Sequence, residues 1–543
     1  LIVDENVFNA LVNVFPRIIP EVVLGVAACV LFLGGTWRAS RHLWGTVALL
    51  GLAGSGIALW LTPHGAESNA AAAYAAPLTF DRLALLLKVI SLVGGVILVL
   101  ASWDEVPDDQ AADFHACILI IVAGLCFTGA ANELITLFLA LELVSIPTYV
   151  LLYLPRVDAT AQEAAMKYFL LSVFSSALML FGFSYLYGLG GTTNLPALVE
   201  TFTRNAQPGG SGLPAAALIA LVMIVAGLGF RIAAVPFHFY APDVYQGMTP
   251  AVAGLLAFVP KIAGFAALFR VLGYVVEGVR VPGLMLGNQV PVLLWILAAV
   301  TMSLGNVLAL LQDNVKRLMA YSSVAHAGYL LIGLAVAPLL AGSARGFTGG
   351  VEAVLFYLVA YGAMTVGVFA LLSYLSTPER PVETVDDLAG LGISQPGPAL
   401  LMVLFLFSLI GLPLTAGFWG KVLLFSGALG LSPDPDKVGS TEQLMQLREQ
   451  ARLFQVLALI GVINAAIGAW YYLRIAAVMF LRQPPPHPLP KAKPGPVLAA
   501  IWACAFLTLV VGIYPDPLAR AVRAAVPPPG AERAVRNAGQ PGP

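Results

Sequence analysis

Long apolar stretches, each closed by a short cluster of Pro, Gly, Asp or basic residues, recur from one end of this chain to the other. A helix needs about 20 predominantly apolar residues to cross the hydrocarbon core of a bilayer. Runs of that kind fall at residues 18–36, 43–62, 78–101, 111–131, 132–154, 163–189, 214–240, 249–278, 290–312, 316–340, 348–376, 398–430, 453–481 and 496–515. The pattern predicts an all-α integral membrane protein with about fourteen transmembrane helices. Breaker-rich clusters mark the loops: LTPHG after the second run, WDEVPDD after the third, QPGGSGLP before the seventh and RQPPPHPLPKAKPGP before the fourteenth. None is long enough for a soluble domain, and the fourth and fifth runs are almost contiguous. The tail beyond Pro515 carries Arg520, Arg523, Arg533 and Arg536 among Ala, Val and Pro. It reads as a short interfacial helix followed by a segment without order.

Two runs carry a proline in mid-course beside an ionisable residue: Pro236 in AAVPFHF and Pro413 in IGLPLTA. Proline removes a backbone donor and clashes with the preceding turn, so both helices are predicted to break. Carbonyls freed at membrane depth are tolerated only where protein or cavity water satisfies them. The two predicted breaks are five spans apart. Because five is odd, tandem five-span units insert with opposite orientation, the inverted-repeat plan of transporters. The expected organisation is three N-terminal spans over residues 1–109, a first repeat over 110–285 and a second over 286–482. A last span and a Pro/Arg-containing tail over 483–543 complete it.

Composition removes whole classes of function. Of 543 residues 59% are hydrophobic and only 10% charged, where a soluble domain carries roughly 25% charged residues. A formal net charge of -1 without a basic patch argues against nucleic acid as a partner. Cys29, Cys117, Cys126 and Cys504 lie in apolar runs with no CxxC or Cys/His spacing, so they read as small core hydrophobes, not as disulfides or metal ligands. No basic region followed by a small-residue cleavage site opens the chain, so the first span is expected to insert directly. Arg38, Arg41, Arg156, Lys316, Arg317, Arg482, Lys491 and Lys493 fall on one face. By the positive-inside rule that face is cytoplasmic, which places both termini outside.

Against this background a few ionisable residues stand out. Glu142, Arg231, Lys261, His326 and Lys421 sit deep within apolar runs, where each charge costs about 2.5–3.5 kcal/mol on insertion scales unless paired, hydrated or functional. Lys261 follows Pro260 too far from either helix end to reach the headgroups. A lysine so enclosed can take up and release protons near neutrality; the bland reading is a snorkelling or purely structural side chain. Lys421 lies eight residues beyond Pro413, placed to exchange protons at the break or, more simply, to cap the carbonyls the proline frees. Glu142 needs a cationic partner, and Arg231 is the candidate. Arginine holds its proton permanently, so it serves as a fixed charge and not as a relay. Such a pair is either a static ion pair or an electrostatic switch acting on nearby lysines. His326, with Ser322 and Ser323 within a turn, suits proton relay, though a lone histidine also serves as a plain interhelical hydrogen-bond partner. His238 and Lys167 are secondary candidates, and Lys316 with Arg317 reads as interfacial anchoring.

No P-loop, dinucleotide-binding glycine motif, haem-type histidine pair or nucleophile elbow occurs. The segments LALELVSIPTYVL, GLGFRIAAVPFHFYAPDVYQGMTPAV, FVPKIAGF, NVKRLMAYSSVAHAGYLL and GLPLTAGFWGKVLLF together resemble the antiporter-like membrane subunits of respiratory complex I, from about residue 78 to 515. The resemblance implies fourteen spans with two inverted five-helix units. It also implies proton translocation in the bacterial inner membrane, driven by quinone reduction on other subunits of an NADH-quinone oxidoreductase. FMN, iron–sulfur clusters and quinone would then belong to partner subunits of the membrane and peripheral arms, with no cofactor or metal on this chain. Carried over by motif, the fifth-span glutamate is Glu142, the eighth-span lysine Lys261 and the twelfth-span lysine Lys421. The seventh-span position, usually lysine in this family, is Arg231 here, which keeps the charge and loses easy titration. The expected route therefore runs through Lys261, ordered water, His326 and Lys421. Two other readings compete: a subunit of a cation/proton antiporter, and a non-conducting scaffold of the membrane arm.

Overall fold

The computed structural model describes residues 14–37, 40–62, 77–156, 158–206, 215–273, 289–340, 350–377, 380–431, 441–486, 489 and 495–526. Arg38, Lys491, Lys493, Arg533, Arg536 and the QPGGSGLP loop lie outside them. Nineteen α-helices follow one another among the described residues. They are α1 (Ile19–Gly34), α2 (Arg41–Leu61), α3 (Arg82–Ala101), α4 (Ala111–Ala130), α5 (Leu134–Tyr153), α6 (Ala159–Gly190), α7 (Leu195–Ala206), α8 (Ala215–Arg231), α9 (Ala241–Gly247) and α10 (Pro250–Val271). After them come α11 (Gln289–Leu310), α12 (Val315–Leu340), α13 (Val351–Leu375), α14 (Leu391–Ser394), α15 (Pro396–Ile410), α16 (Ala416–Leu429), α17 (Thr441–Leu481), α18 (Pro496–Ile513) and α19 (Asp516–Ala525).

Twelve helices among the described residues are long and apolar enough to cross a membrane. The shorter apolar helix α8 supplies a seventh crossing, and α15 with α16 supplies a twelfth. This makes fourteen spans, as the apolar runs predict. The fourth and fifth spans are joined by three residues only. Their extended backbone is secured by Asn132 N donating to Pro77 O at 3.0 Å and Leu134 N to Thr193 O at 2.9 Å.

Both proline-bearing runs break. α8 ends at Arg231, Ala233 takes a positive φ of 56°, and the chain re-enters helix only at α9. The freed carbonyl of Phe230 accepts the Tyr240 hydroxyl at 3.0 Å, and Val235 N donates to Thr301 Oγ1 of α11, also at 3.0 Å. In the second break Gly411 adopts φ 92°, a left-handed turn that glycine enters without a Cβ penalty. Leu414 follows with φ 68°.

The core is a layer of helices apolar on every side, as expected where other helices supply the whole surround. α10 is buried along its length and α13 nearly so. α10 packs on α8, α12 and α13, and α13 packs on α16 and α18. The peripheral helices turn large apolar residues outward, among them Leu33, Trp60, Trp470 and Leu481. α11 and α12 approach closely because Gly305 and Gly328 lack side chains. A Cβ on Gly328 would stand 2.5 Å from Met302 N, the small-residue packing usual in membranes. A short helix does follow Pro515: α19 buries Ala519, Val522 and Ala525 against α3 and α13. Cysteine burial needs one correction: Cys117, Cys126 and Cys504 are buried, but Cys29 is exposed, on the outward side of α1.

Candidate functional site

Lys261 occupies the centre of α10 and is only 2% exposed. Its Nζ donates to Ser323 Oγ of α12 and lies 5.3 Å from the centre of the Tyr361 ring. No carboxylate is in salt-bridge contact with it among the described residues. Ser323 Oγ also accepts the Tyr361 hydroxyl at 2.8 Å and stands 3.5 Å from the Tyr245 hydroxyl of α9. One turn along α12, His326 is fully enclosed. Its Nδ1 is 2.6 Å from the Tyr357 hydroxyl and its Nε2 is 3.1 Å from the Tyr472 hydroxyl of α17. Tyr472 in turn contacts Ser322. A neutral imidazole has one donor and one acceptor nitrogen. With a hydroxyl at each, the ring can take a proton on one side and release it on the other.

Lys421 approaches the same cluster from α16. Its Nζ donates to the carbonyls of Leu409 and Ile410 at 2.8 and 2.9 Å, the orphan carbonyls where α15 ends, and stands 5.1 Å from the centre of the Tyr329 ring. Tyr329 meets His326 edge-on at 5.5 Å between ring centres. Both lysines lie within electrostatic reach of His326. Gly420 lets α16 close on this cluster, since a Cβ there would be 2.1 Å from Tyr357 Cδ2. The space between the two lysines is thus walled by Ser323, Tyr361, His326, Tyr357 and Tyr329.

Glu142 and Arg231 meet at 3.0 Å. The guanidinium also donates to Ser145 Oγ at 2.6 Å, to Leu141 O at 3.3 Å and to Ser176 Oγ at 3.2 Å. Ser176 donates to Glu142 Oε1 at 2.6 Å. α10 runs directly past the pair: a Cβ on Gly264, three residues beyond Lys261, would lie 3.5 Å from Arg231 Cβ.

Lys167 and His238 do not join this assembly. Lys167 is 40% exposed and bridges Glu163 and Asp243 at 2.7 and 2.8 Å, with Arg317 on the other oxygen of Asp243 at 2.6 Å. His238 sits in the first break with its ring 6.5 Å from that of Tyr321; α8 has already ended at Arg231, so the two share no helix face. Lys316 is not an interfacial anchor. It is buried, donating to Gln246 O and Met248 O at 2.7 and 2.6 Å, because α9 ends beside it with unpaired carbonyls.

Sequence reasoning missed several buried groups. Tyr357 and Tyr361, four residues apart and so on one face of α13, carried a usable signal; Tyr472 and Tyr245 carried none. Two further buried ion pairs also escaped it. Lys88 contacts Glu21 at 2.7 Å, and Arg270 grips Asp81 through two bonds of 2.6 and 2.8 Å. Among the described residues no three His, Cys, Asp or Glu side chains converge as metal ligands.

Fold and site together define a multi-pass membrane protein with two broken helices and a polar, protonatable axis through its interior. Residues 131–435 match a family model described as NADH:quinone oxidoreductase/Mrp antiporter, TM. NADH-quinone oxidoreductase subunit N of Trichlorobacter lovleyi is 35% identical, the alignment covering 94% of this chain and 96% of that protein. A chain in respiratory complex I from Thermus thermophilus with bound aureothin superposes with a TM-score of 0.70 at 30% identity, covering 93% of this chain and 99% of that one. A chain of the Mrp complex from Dietzia sp. shares the fold, with a TM-score of 0.75 at 17% identity over 95% and 98% of the two chains. The chain belongs to the NADH-quinone oxidoreductase subunit N family.

Proposed function

We propose that this chain is a proton-translocating membrane subunit of an NADH-quinone oxidoreductase, resident in a bacterial inner membrane among other subunits of the complex. The observation that carries the reading is the cluster of protonatable groups between the two buried lysines. It is hydrogen-bonded from Lys261 through Ser323 to Tyr361 and from Tyr357 through His326 to Tyr472, the two stretches meeting through the rings of Tyr361 and His326. Protons pass from Lys261 by Ser323 and Tyr361 to His326 and on by Tyr357 to Lys421, with ordered water bridging the stretches where only rings meet. The Glu142–Arg231 pair, about one turn of α10 away from Lys261, acts as the switching charge. When the pair opens, the released positive field disfavours a second positive charge on Lys261, and a field worth one pKa unit shifts its occupancy tenfold. The scaffold is two inverted five-helix repeats, residues 110–285 and 286–482, each contributing one broken helix to the path. FMN, iron–sulfur clusters and quinone reside on partner subunits, and this chain performs no redox step.

The test uses the intact complex in liposomes. Lys261→Ala and Lys421→Ala are expected to abolish this subunit's share of NADH-driven proton uptake, while Arg231→Lys, which retains the charge, leaves it largely intact. Full uptake in both alanine variants would reduce the chain to a scaffold, and uptake that required sodium without NADH would make it a cation antiporter.

A further inference from the structure

Glu105 lies in the short loop joining α3 to α4, a place no part of the proton axis uses. The loop is held firmly: Trp103 and Val106 are buried, Trp103 Nε1 donates to His42 Nδ1 at 2.8 Å, and Glu105 N donates to Ser102 O at 3.2 Å. The residue is half-buried, and its carboxyl is turned inward. Its inner oxygen accepts the Ser373 hydroxyl from the end of α13 at 2.7 Å and Ala251 N from the first turn of α10 at 3.4 Å. Thr249 at the start of α10 and the Lys316 ammonium at the start of α12 also face it. Lys316 is bonded to the carbonyls of Gln246 and Met248, which flank the end of α9. Tyr245 of that helix reaches Ser323, the hydroxyl that Lys261 binds.

We propose that Glu105 is the proton-loading carboxyl of this subunit. It collects protons at the membrane face that carries the basic loops and hands them inward past Lys316 and Tyr245 to Ser323 and Lys261. The inference rests on the proton-translocation reading above and adds the residue through which that path is filled. Burial holds the Glu105 carboxyl above the usual carboxylate range, against the opposing pull of Ser373, Thr249, Ala251 N and Lys316. A carboxyl so placed carries a proton closer to neutrality than an exposed glutamate does, and it loses that proton as pH rises. The step breaks no bond but O–H: the carboxyl gains a proton from water, gives it to the interior chain and returns to carboxylate.

The experiment compares Glu105→Gln, Glu105→Asp, Ser373→Ala and Lys261→Ala in the intact complex in liposomes. NADH:quinone turnover is followed across pH with an uncoupler present, and proton uptake is followed across pH in coupled liposomes without it. Glutamine keeps an oxygen that accepts from Ser373 and Ala251, so it preserves those contacts and removes the titration together with the charge that faces Lys316. Glu105→Gln is expected to slow uptake roughly tenfold or more on the alkaline side of neutrality, a conservative share of what a positioned proton-transfer group contributes, while Glu105→Asp stays near the parent. Ser373→Ala removes a donor that favours the carboxylate, so the alkaline limb of its profile moves to higher pH. That shift decides the matter if the glutamine variant fails to assemble. A parent-like profile in Glu105→Gln, or an equal pH-independent loss in Glu105→Gln and Glu105→Asp, would overturn the proposal and leave proton translocation standing. Undiminished pumping in Lys261→Ala would instead bring down the translocation reading itself.

Discussion

Glu142→Gln is the sharpest probe of the paired charges. The glutamine oxygen can still accept from Arg231 and from Ser176, which now reach Glu142 at 3.0 and 2.6 Å. What disappears is the charge on the acceptor. Hydrogen bonds to charged groups contribute about 1.5–3 kcal/mol and neutral ones about 1 kcal/mol; the Ser176 bond becomes neutral while Arg231 keeps its charge, so the expected loss is about 0.5–2 kcal/mol. The lower half of that range is favoured because the Glu142 side chain is 20% exposed, and a pair in contact with solvent is partly screened. Arg231 does not become an orphan, since Ser145 Oγ and Leu141 O continue to accept from it. Unfolding of a large complex is read as a rate. A loss of this size therefore shortens the half-life of the purified complex at elevated temperature by up to about tenfold, if it falls wholly on the unfolding barrier. Combining Glu142→Gln with Arg231→Gln closes a double-mutant cycle. Neutral polar pairs in membranes couple by about 0.6 kcal/mol on average, so a real ion pair should exceed 1 kcal/mol. Proton uptake per electron should fall in the single variant. Coupling under about 0.5 kcal/mol together with unchanged uptake would refute both the energetic and the switching role.

Two further perturbations separate stability from conduction. Arg270→Met removes the guanidinium that donates to Asp81 and to Gly129 O. It should destabilise the subunit by about 3 kcal/mol, the low end for breaking a buried pair, with the proton-to-electron ratio of the surviving complex unchanged; thermal inactivation and proton uptake measure the two. Gly420→Ala forces a Cβ to within 2.1 Å of Tyr357. It should cost about 1–3 kcal/mol of overpacking and slow uptake, because Tyr357 must leave His326; a parent-like uptake rate would remove Tyr357 from the path.

The spans were legible because crossing a membrane is a matter of length and apolarity, and no helical period had to be read. The two breaks were legible because a proline inside such a run has few structural outcomes. Lys261, His326 and Lys421 stood out because a charge or imidazole in an apolar run is costly wherever the run packs. Tyr357, Tyr361 and Tyr472 did not stand out, since a tyrosine ring reads as apolar filling until its hydroxyl is seen to meet a partner. Their convergence on His326 brings together α12, α13 and α17, and chain order gives no hint of that. Lys316 was misread for a related reason. The second residue of a helix ordinarily reaches the interface, but here α9 stops beside it and offers carbonyls that draw the ammonium inside. Glu21 and Lys88 stand 67 positions apart, nothing in chain order links them, and only the folded chain brings them together at 2.7 Å.

The two breaks solve the same backbone problem with different groups. In the first, the Phe230 carbonyl is satisfied by Tyr240 and Val235 N by Thr301, all neutral groups indifferent to proton occupancy. In the second, the Leu409 and Ile410 carbonyls are held by the ammonium of Lys421 itself. A charged donor makes a bond about twice as strong as a neutral one. Protonation of Lys421 therefore tightens the turn between α15 and α16, and loss of the proton loosens it. The first break is accordingly a fixed frame around Arg231 and α9. The second is an element whose geometry and proton occupancy belong to one equilibrium, which is the property a gate needs on the path proposed above.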